Sequence, residues 1–161
     1  MFCGVGLVSV GARAAEWSDL NMLQINREKP RATMMVYPDA ESAARYDRAR
    51  SPWFRSLHGD WKFNWVRKPA DPPVDFFETD YDASAWGVIP VPSNWEIEGH
   101  GMPWYTNAKY PFKKDPPNAP VDWNPVGSYR RTFEVSAEWD GRETYIVFDG
   151  VQSAFYLWIN G

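Results

Sequence analysis

The sequence predicts an all-β protein, specifically a jelly-roll β-sandwich. Short segments with strand-like alternation are separated by turns rich in Pro and Gly, and only one short helix is indicated. Between the predicted strands lie stretches of Trp, Pro and Asn that follow neither the helical nor the strand period. Such stretches are held by the packing of aromatic side chains, because proline fixes φ and donates no hydrogen bond. We therefore expect short strands that support shaped loops.

Length and charge limit the class of protein. The chain has 161 residues, of which 44% are hydrophobic and 24% charged, as in one soluble globular domain. The formal net charge is -4 and the basic residues are scattered, so nucleic-acid binding is not expected. Ten Trp residues are far more than usual. Most of them are expected in the core, although aromatic faces also stack on sugar rings.

The first 15 residues form a predicted leader, which is apolar from Phe2 to Val10 and then rich in small residues. This pattern resembles the latter part of a secretory signal peptide and predicts a periplasmic or secreted protein. The alternative is a cytoplasmic protein with an unstructured N-terminus. The segment is too short to span a bilayer, so no membrane association is expected. Cys3 is the single cysteine, which excludes an internal disulfide.

Residues 16–55 are predicted to form an extended arm and one short helix. The first part of this stretch has no sustained periodicity. Over residues 39–50, three alanines and Tyr46 recur at near-helical spacing, with Asp39 as the N-cap and Pro52 beyond the end. A single short helix is therefore expected at this place.

Residues 56–161 are predicted to form the sandwich domain. Trp61, Phe63 and Trp65 alternate with polar residues, which indicates a half-buried strand. An edge strand is expected at residues 88–92, because its two prolines cannot donate to a central ladder. Further strands are predicted at residues 128–135, 144–148 and 154–159, the last of them buried.

The chain closes on Asn160 and Gly161 after an apolar run, which is the strongest short-range signal for a hairpin turn. No return strand follows in the sequence. We therefore expect the domain to be incomplete at its C-terminus.

Four motifs follow one another along the chain: VPSNWE at 91–96, YTNxxYPF at 105–112, NPVGSYRRTF at 124–133 and FDGVQSAFYLWING at 148–161. In this order and spacing they resemble the N-terminal sugar-binding domain of the family 2 glycoside hydrolases, in particular the long bacterial β-galactosidases. The resemblance runs from about Trp17 to Gly161. It implies a galactose-binding-like jelly roll within a retaining enzyme that hydrolyses terminal non-reducing β-D-galactose residues of β-galactosides such as lactose.

The resemblance also implies what this chain lacks. The catalytic carboxylates of the family lie on a TIM barrel beyond this sequence, so the fragment alone is expected to be inactive. Magnesium and sodium are implied for the full-length enzyme, with no cofactor in this chain. The implied partners are a β-galactoside, the remaining sandwich and barrel domains, and further subunits of a homo-oligomer that the arm can reach.

The residues themselves offer no catalytic or metal constellation. Retaining glycosidases use two carboxyl groups roughly 5 to 5.5 Å apart. The nearest local pair, Glu96 and Glu98, is better explained as loop structure. His58 and His100 are the only imidazoles, lie far apart and match no metal motif. We therefore assign no catalytic and no metal-binding residue.

Asn107 is the one residue to which the resemblance gives a substrate role, through hydrogen bonds to galactosyl hydroxyls. A side-chain amide suits such a hydroxyl because it both donates and accepts. The alternative is that Asn107 holds its own loop through the backbone. Four aromatic residues are predicted to support that loop: Trp95, Trp104, Tyr105 and Tyr110.

Two other functions stay open. The chain could be a stand-alone carbohydrate-binding module, which requires a completed sandwich and an exposed aromatic platform. It could instead be an interaction fragment that complements a partner lacking its own N-terminus. Within the resembled family, related enzymes cleave β-glucuronides and β-mannosides, so the sugar is also left open by the residues.

Overall fold

The regular structure is built around one three-stranded antiparallel sheet in the computed structural model, which describes residues 16–30, 32–107, 109, 112–152 and 154–161. The strands are β1 (Gly59–Val66), β2 (Gly87–Val91) and β3 (Val126–Arg130), in the order β2-β1-β3. A five-residue helix and three short 3-10 turns complete the regular structure of the described residues. The all-β class is thus confirmed, with a single sheet in the described part.

Strand β1 is central because its alternating aromatic residues can be covered from both neighbours. Phe63 lies opposite Tyr129 of β3 and opposite Gly87 of β2, and Trp61 lies opposite Ile89. Phe63 is 2% exposed and Ile89 is fully buried, which makes these two residues the centre of the core. The predicted half-buried strand is therefore confirmed.

Strand β2 is an edge strand of the sheet, as predicted, since among the described residues it pairs with β1 alone. Pro90 is exposed at this edge, where a missing donor costs no ladder hydrogen bond. Strand β3 is shorter than predicted: pairing with β1 ends at Lys62 and Arg130, and residues 131–135 continue outside the ladder.

The predicted helix is real but shorter than expected. Helix α1 (Ala40–Ala44) begins where the Asp39 carboxylate accepts a hydrogen bond from the Ser42 amide at 2.7 Å. It ends before Tyr46, which has a φ of 54° and is 91% exposed. A separate 3-10 turn (Arg48–Arg50) then starts from a second cap, Asp47. The predicted short helix with Asp39 as its N-cap is therefore confirmed, but it does not extend to residue 50, because the left-handed Tyr46 interrupts the helical backbone.

The two C-terminal strands predicted at 144–148 and 154–159 are absent from the structure. Both segments lack ladder pairing, and the second one is half exposed rather than buried: Phe155, Tyr156 and Leu157 are each 46% exposed. A strand needs a neighbouring backbone to pair with, and apolar composition does not supply one. The turn that follows does have the predicted geometry, since Asn160 and Gly161 have φ values of 62° and 93°.

The tryptophans also differ from expectation. None of the ten is fully buried: Trp104 and Trp158 are exposed, and the other eight are intermediate. Trp side chains in this chain therefore line surfaces and loop contacts more than they fill a core. Across the described residues, no helix is long and apolar enough to cross a membrane.

Candidate functional site

The segment that follows β2 folds back onto the sheet through a compact turn. The backbone amides of Ile97 and Glu98 donate to the carbonyls of Asn94 and Trp95 at 3.1 and 3.2 Å, and His100 donates to Trp95 at 2.9 Å. The Ser93 hydroxyl donates to Glu98 Oε1 at 2.7 Å. The VPSNWE motif is thus a self-bonded turn rather than an open loop.

This turn covers Phe63 with two rings from one side. The Trp95 ring lies 6.3 Å from the Phe63 ring, and the His100 ring lies 4.8 Å away in an edge-on arrangement. Tyr129 adds a third ring at 4.7 Å from the neighbouring strand. Edge-on and tilted aromatic pairs at these separations are favourable beyond the area they bury. Residues from two of the four motifs therefore meet over one side chain of β1.

The packing around Gly127 explains why the NPVGSYRRTF motif has a glycine at its fourth position. A Cβ atom there would lie 2.7 Å from both the Phe63 ring and the Trp95 ring. Only a residue without a side chain lets these rings approach the β3 backbone so closely. Sequence reasoning singled out the motif but not this function of its glycine, which only the packing reveals.

The carboxylates of this turn serve local structure. Glu96 Oε1 accepts a hydrogen bond from Trp95 Nε1 at 2.6 Å, and Glu98 is held by Ser93. Burial, together with the negative charge of Glu96, raises the pKa of Tyr129. The arrangement keeps the Tyr129 phenol neutral and fits the expectation that Glu96 and Glu98 belong to the loop.

Asn107 lies on an exposed loop tip that is closed by its neighbour. The Thr106 hydroxyl donates to the Lys109 carbonyl at 3.1 Å and accepts from the Lys109 amide at 3.2 Å. Asn107 itself is exposed, and its side chain has no hydrogen-bond partner among the described residues. The turn is therefore closed by Thr106 and Lys109. Sequence reasoning assigned no role to Thr106.

The four residues predicted to support the Asn107 loop differ in their burial and contacts. Trp95 packs on Phe63 as described above, whereas Trp104 is 51% exposed and Tyr105 is fully exposed. Tyr110 lies outside the described residues. Trp104 and Tyr105 thus present aromatic surface beside Asn107, and their support of the loop stays a prediction.

Two arginines that sequence reasoning passed over hold distant segments to the sheet. Arg130 donates to the carbonyls of Phe76, Glu78 and Thr79 at 2.5 to 3.0 Å. Arg131 donates to the carbonyls of Leu57 and His58 at 2.7 and 2.9 Å. A guanidinium carries five donors and can bind several carbonyls at once. The adjacent arginines stand in the motif, but the sequence does not indicate which carbonyls they bind.

The two histidines make different contacts. His100 packs on Phe63, and the His58 carbonyl receives Arg131. No group of three or more His, Cys, Asp or Glu side chains in the described part of the chain could hold a metal ion. We assign no magnesium or sodium ligand among these residues.

The four motifs lie within the part of the chain that matches a known protein family. A family model described as "Glycosyl hydrolases family 2, sugar binding domain" matches residues 54–161. A Priestia megaterium protein named beta-galactosidase is 40% identical, over 91% of this chain and 15% of that protein. Proteins of the same name from Psychromonas ingrahamii and Pectobacterium atrosepticum are 38% and 45% identical, over 92% and 74% of this chain. The chain spans less than a sixth of each of these relatives.

Proposed function

The chain belongs to the family 2 glycosyl hydrolases, whose sugar-binding domain it matches, and on this premise we propose that it is the N-terminal sugar-binding domain of a β-galactosidase. The complete protein hydrolyses terminal non-reducing β-D-galactose residues of β-galactosides such as lactose, with retention of configuration. One observation carries this proposal: three relatives named beta-galactosidase align with 74 to 92% of the chain at 38 to 45% identity.

The chemistry is divided between this chain and the rest of the protein. Retaining hydrolysis needs a nucleophilic carboxylate and an acid/base carboxyl. Glu96 and Glu98 are already bonded within their own turn, so we place both catalytic groups in the remaining domains. We place the magnesium and sodium sites that the resemblance implies in those domains as well. This chain contributes binding and orientation of the substrate.

Asn107 is the residue through which the domain reaches the substrate. The Asn107 side chain is exposed, and the hydrogen bonds that close the turn come from Thr106. Neither the NH₂ group nor the carbonyl oxygen of the Asn107 amide bonds to a described residue. A galactosyl hydroxyl can bond to both groups, because it donates one hydrogen bond and also accepts. A tip held by its own hydrogen bonds loses little entropy when it binds. Trp104 and Tyr105 position this tip against the neighbouring domains.

The finer architecture is part of the same proposal. In the complete domain, the observed sheet is one layer of a jelly-roll sandwich, and residues 16–55 form an arm that reaches another subunit of a homo-oligomer. The apolar leader directs the protein to the periplasm or the exterior.

The function is tested with the complete protein and three matched aryl glycosides: β-galactoside, β-glucuronide and β-mannoside. We expect kcat/KM for the galactoside to exceed the other two by about a hundredfold or more, because a site built for one hydroxyl arrangement leaves polar groups unpaired with another. NMR of the first sugar product should show the β-anomer. Preference for another glycoside, or an inverted product, contradicts the proposal.

A further inference from the structure

The segment that bears Asn107 leaves the sheet and returns to it at one end of strand β1. Residues 102–122 contain no strand or helix among those that the structure describes. The hydrogen bonds of its described residues join residues of the same segment, Thr106 with Lys109 and Asn118 with Asp115. Within the described part of this segment, no hydrogen bond therefore reaches the sheet.

At its start, the segment lies against an aromatic ring of β1. A Cβ atom on Gly101 would lie 3.3 Å from the Trp65 ring, so the Gly101 backbone approaches that ring closely. Gly101 also has a φ of 76°, in the left-handed region that favours glycine. Trp65 pairs with Gly127 of β3, which holds the Trp65 backbone in the sheet. The sheet therefore sets the point at which the segment begins.

At its end, the segment returns to the residue that directly follows β1. The Asn124 backbone amide donates to the Arg67 carbonyl at 3.1 Å. The Arg67 guanidinium lies 4.5 Å from the centre of the Trp123 ring. A cation at this distance is attracted by the negative face of an indole ring. Among the described residues Arg67 forms no ion pair, so Trp123 is the partner that its guanidinium has there.

Trp65 and Arg67 thus hold the two ends of one segment, and both are fixed by strand β1. A loop whose ends are held on a rigid element can present a binding side chain in a defined place. A displacement of about 1 Å in such a group can cost about a hundredfold in rate. We propose that the contact between Arg67 and Trp123 positions Asn107 toward the substrate. Both are positioning residues that act through Asn107, so this inference rests on the proposed function.

The first test is the steady-state kinetics of the complete protein with an aryl β-galactoside. Arg67→Gln removes the cation from Trp123, and we expect kcat/KM to fall at least about threefold. Lys68→Gln is the matched control, because it removes the same charge from the next residue, which faces no aromatic ring among the described residues. It should leave kcat/KM unchanged. Equal losses in the two variants would overturn the proposal, since they would show only the effect of net charge.

The same contact can be removed from its aromatic side. Trp123→Leu should lower kcat/KM as Arg67→Gln does, whereas Trp123→Phe keeps an aromatic face and should retain most of the wild-type value. In Trp123→Leu the Asn124 amide, which donates to the Arg67 carbonyl, should exchange its hydrogen faster while the β1 amides keep their protection. Faster exchange throughout β1 would show a general loss of stability and would overturn the proposal.

A double substitution separates positioning from general damage. If Arg67 acts through Asn107, Arg67→Gln should lower kcat/KM in the wild-type background but not in the Asn107→Ala background. Equal losses in both backgrounds would overturn the inference, because a merely structural effect does not need Asn107. If Asn107→Ala alone changes nothing, the proposed substrate role fails, and this inference with it. If Asn107→Ala has its expected effect and Arg67→Gln has none, this inference alone fails.

Discussion

Two regions rich in aromatic residues bury their side chains to very different extents. On the sheet, Phe63 is 2% exposed beneath three rings that come from distant parts of the chain. Near the C-terminus, Phe155 and Leu157 are each 46% exposed, although Trp158 stacks on Phe77 at 5.3 Å. The difference lies in the backbone ladder, which brings β1 and β3 together and lets the turn after β2 cover them.

The largest expected effect comes from removing the centre of the covered region. Phe63→Ala leaves a cavity beneath the three surrounding rings, and should lower the free energy of unfolding of the domain by about 3 to 5 kcal/mol. Hydrogen exchange of the β1 amides in the complete protein measures the opening of this domain directly. A loss below about 1 kcal/mol would show that Phe63 is not the centre of the core.

Gly127→Ala tests the close approach that this packing requires. Its Cβ would lie 2.7 Å from two rings, so either the rings or the strand must move, at a cost of about 1 to 3 kcal/mol. Gly150→Ala is the matched control, because a Cβ atom there meets nothing within 4 Å. The same exchange measurement applies. Similar effects of the two substitutions would contradict the packing described here.

Leu157→Ala examines the exposed region in the same way. Because almost half of this side chain is already in contact with solvent, the structure predicts a loss of only about 1 kcal/mol. The effect is measured by chemical unfolding of the complete protein next to Phe63→Ala. If Leu157→Ala costs as much as Phe63→Ala, the contrast between the two regions does not hold.

The smallest expected effect concerns alkaline pH. Burial and Glu96 raise the pKa of Tyr129, so the folded protein holds this proton more tightly than the unfolded chain. This contribution to stability is complete below the unfolded value of about 10 and is lost as pH rises through the folded value. Stability of Tyr129→Phe should therefore decline less above pH 10 than that of the wild type. Parallel declines in alkaline unfolding curves would argue against the raised pKa.

Local signals in the sequence predicted the elements that depend on local chemistry. Asp39 caps α1 through its own carboxylate, and the alternation around Phe63 identifies β1. The segment at 154–159 was predicted wrongly, because strand formation depends on a pairing partner that apolar composition cannot specify. The contacts of Arg130 with residues 76–79 span more than fifty positions, and no local pattern encodes them.

In the candidate site, too, some features were predictable from local sequence and others depend on contacts in space. Asn107 was identified through a motif, and its exposure on a loop tip is consistent with that choice. The closure of the tip by Thr106 was not foreseen, since a threonine between Tyr and Asn carries no distinctive signal. The need for glycine at 127 likewise follows only from the meeting of Phe63 and Trp95 in space.

The most direct test of the proposed substrate role is the steady-state kinetics of Asn107→Ala in the complete protein with an aryl β-galactoside. We predict that kcat/KM falls more than tenfold, about 1.4 kcal/mol or more, while the protein melts as the wild type does. Asn118→Ala, at another exposed loop asparagine, should leave kcat/KM unchanged. Unaltered kinetics in Asn107→Ala would contradict the claim that this domain reaches the substrate through Asn107.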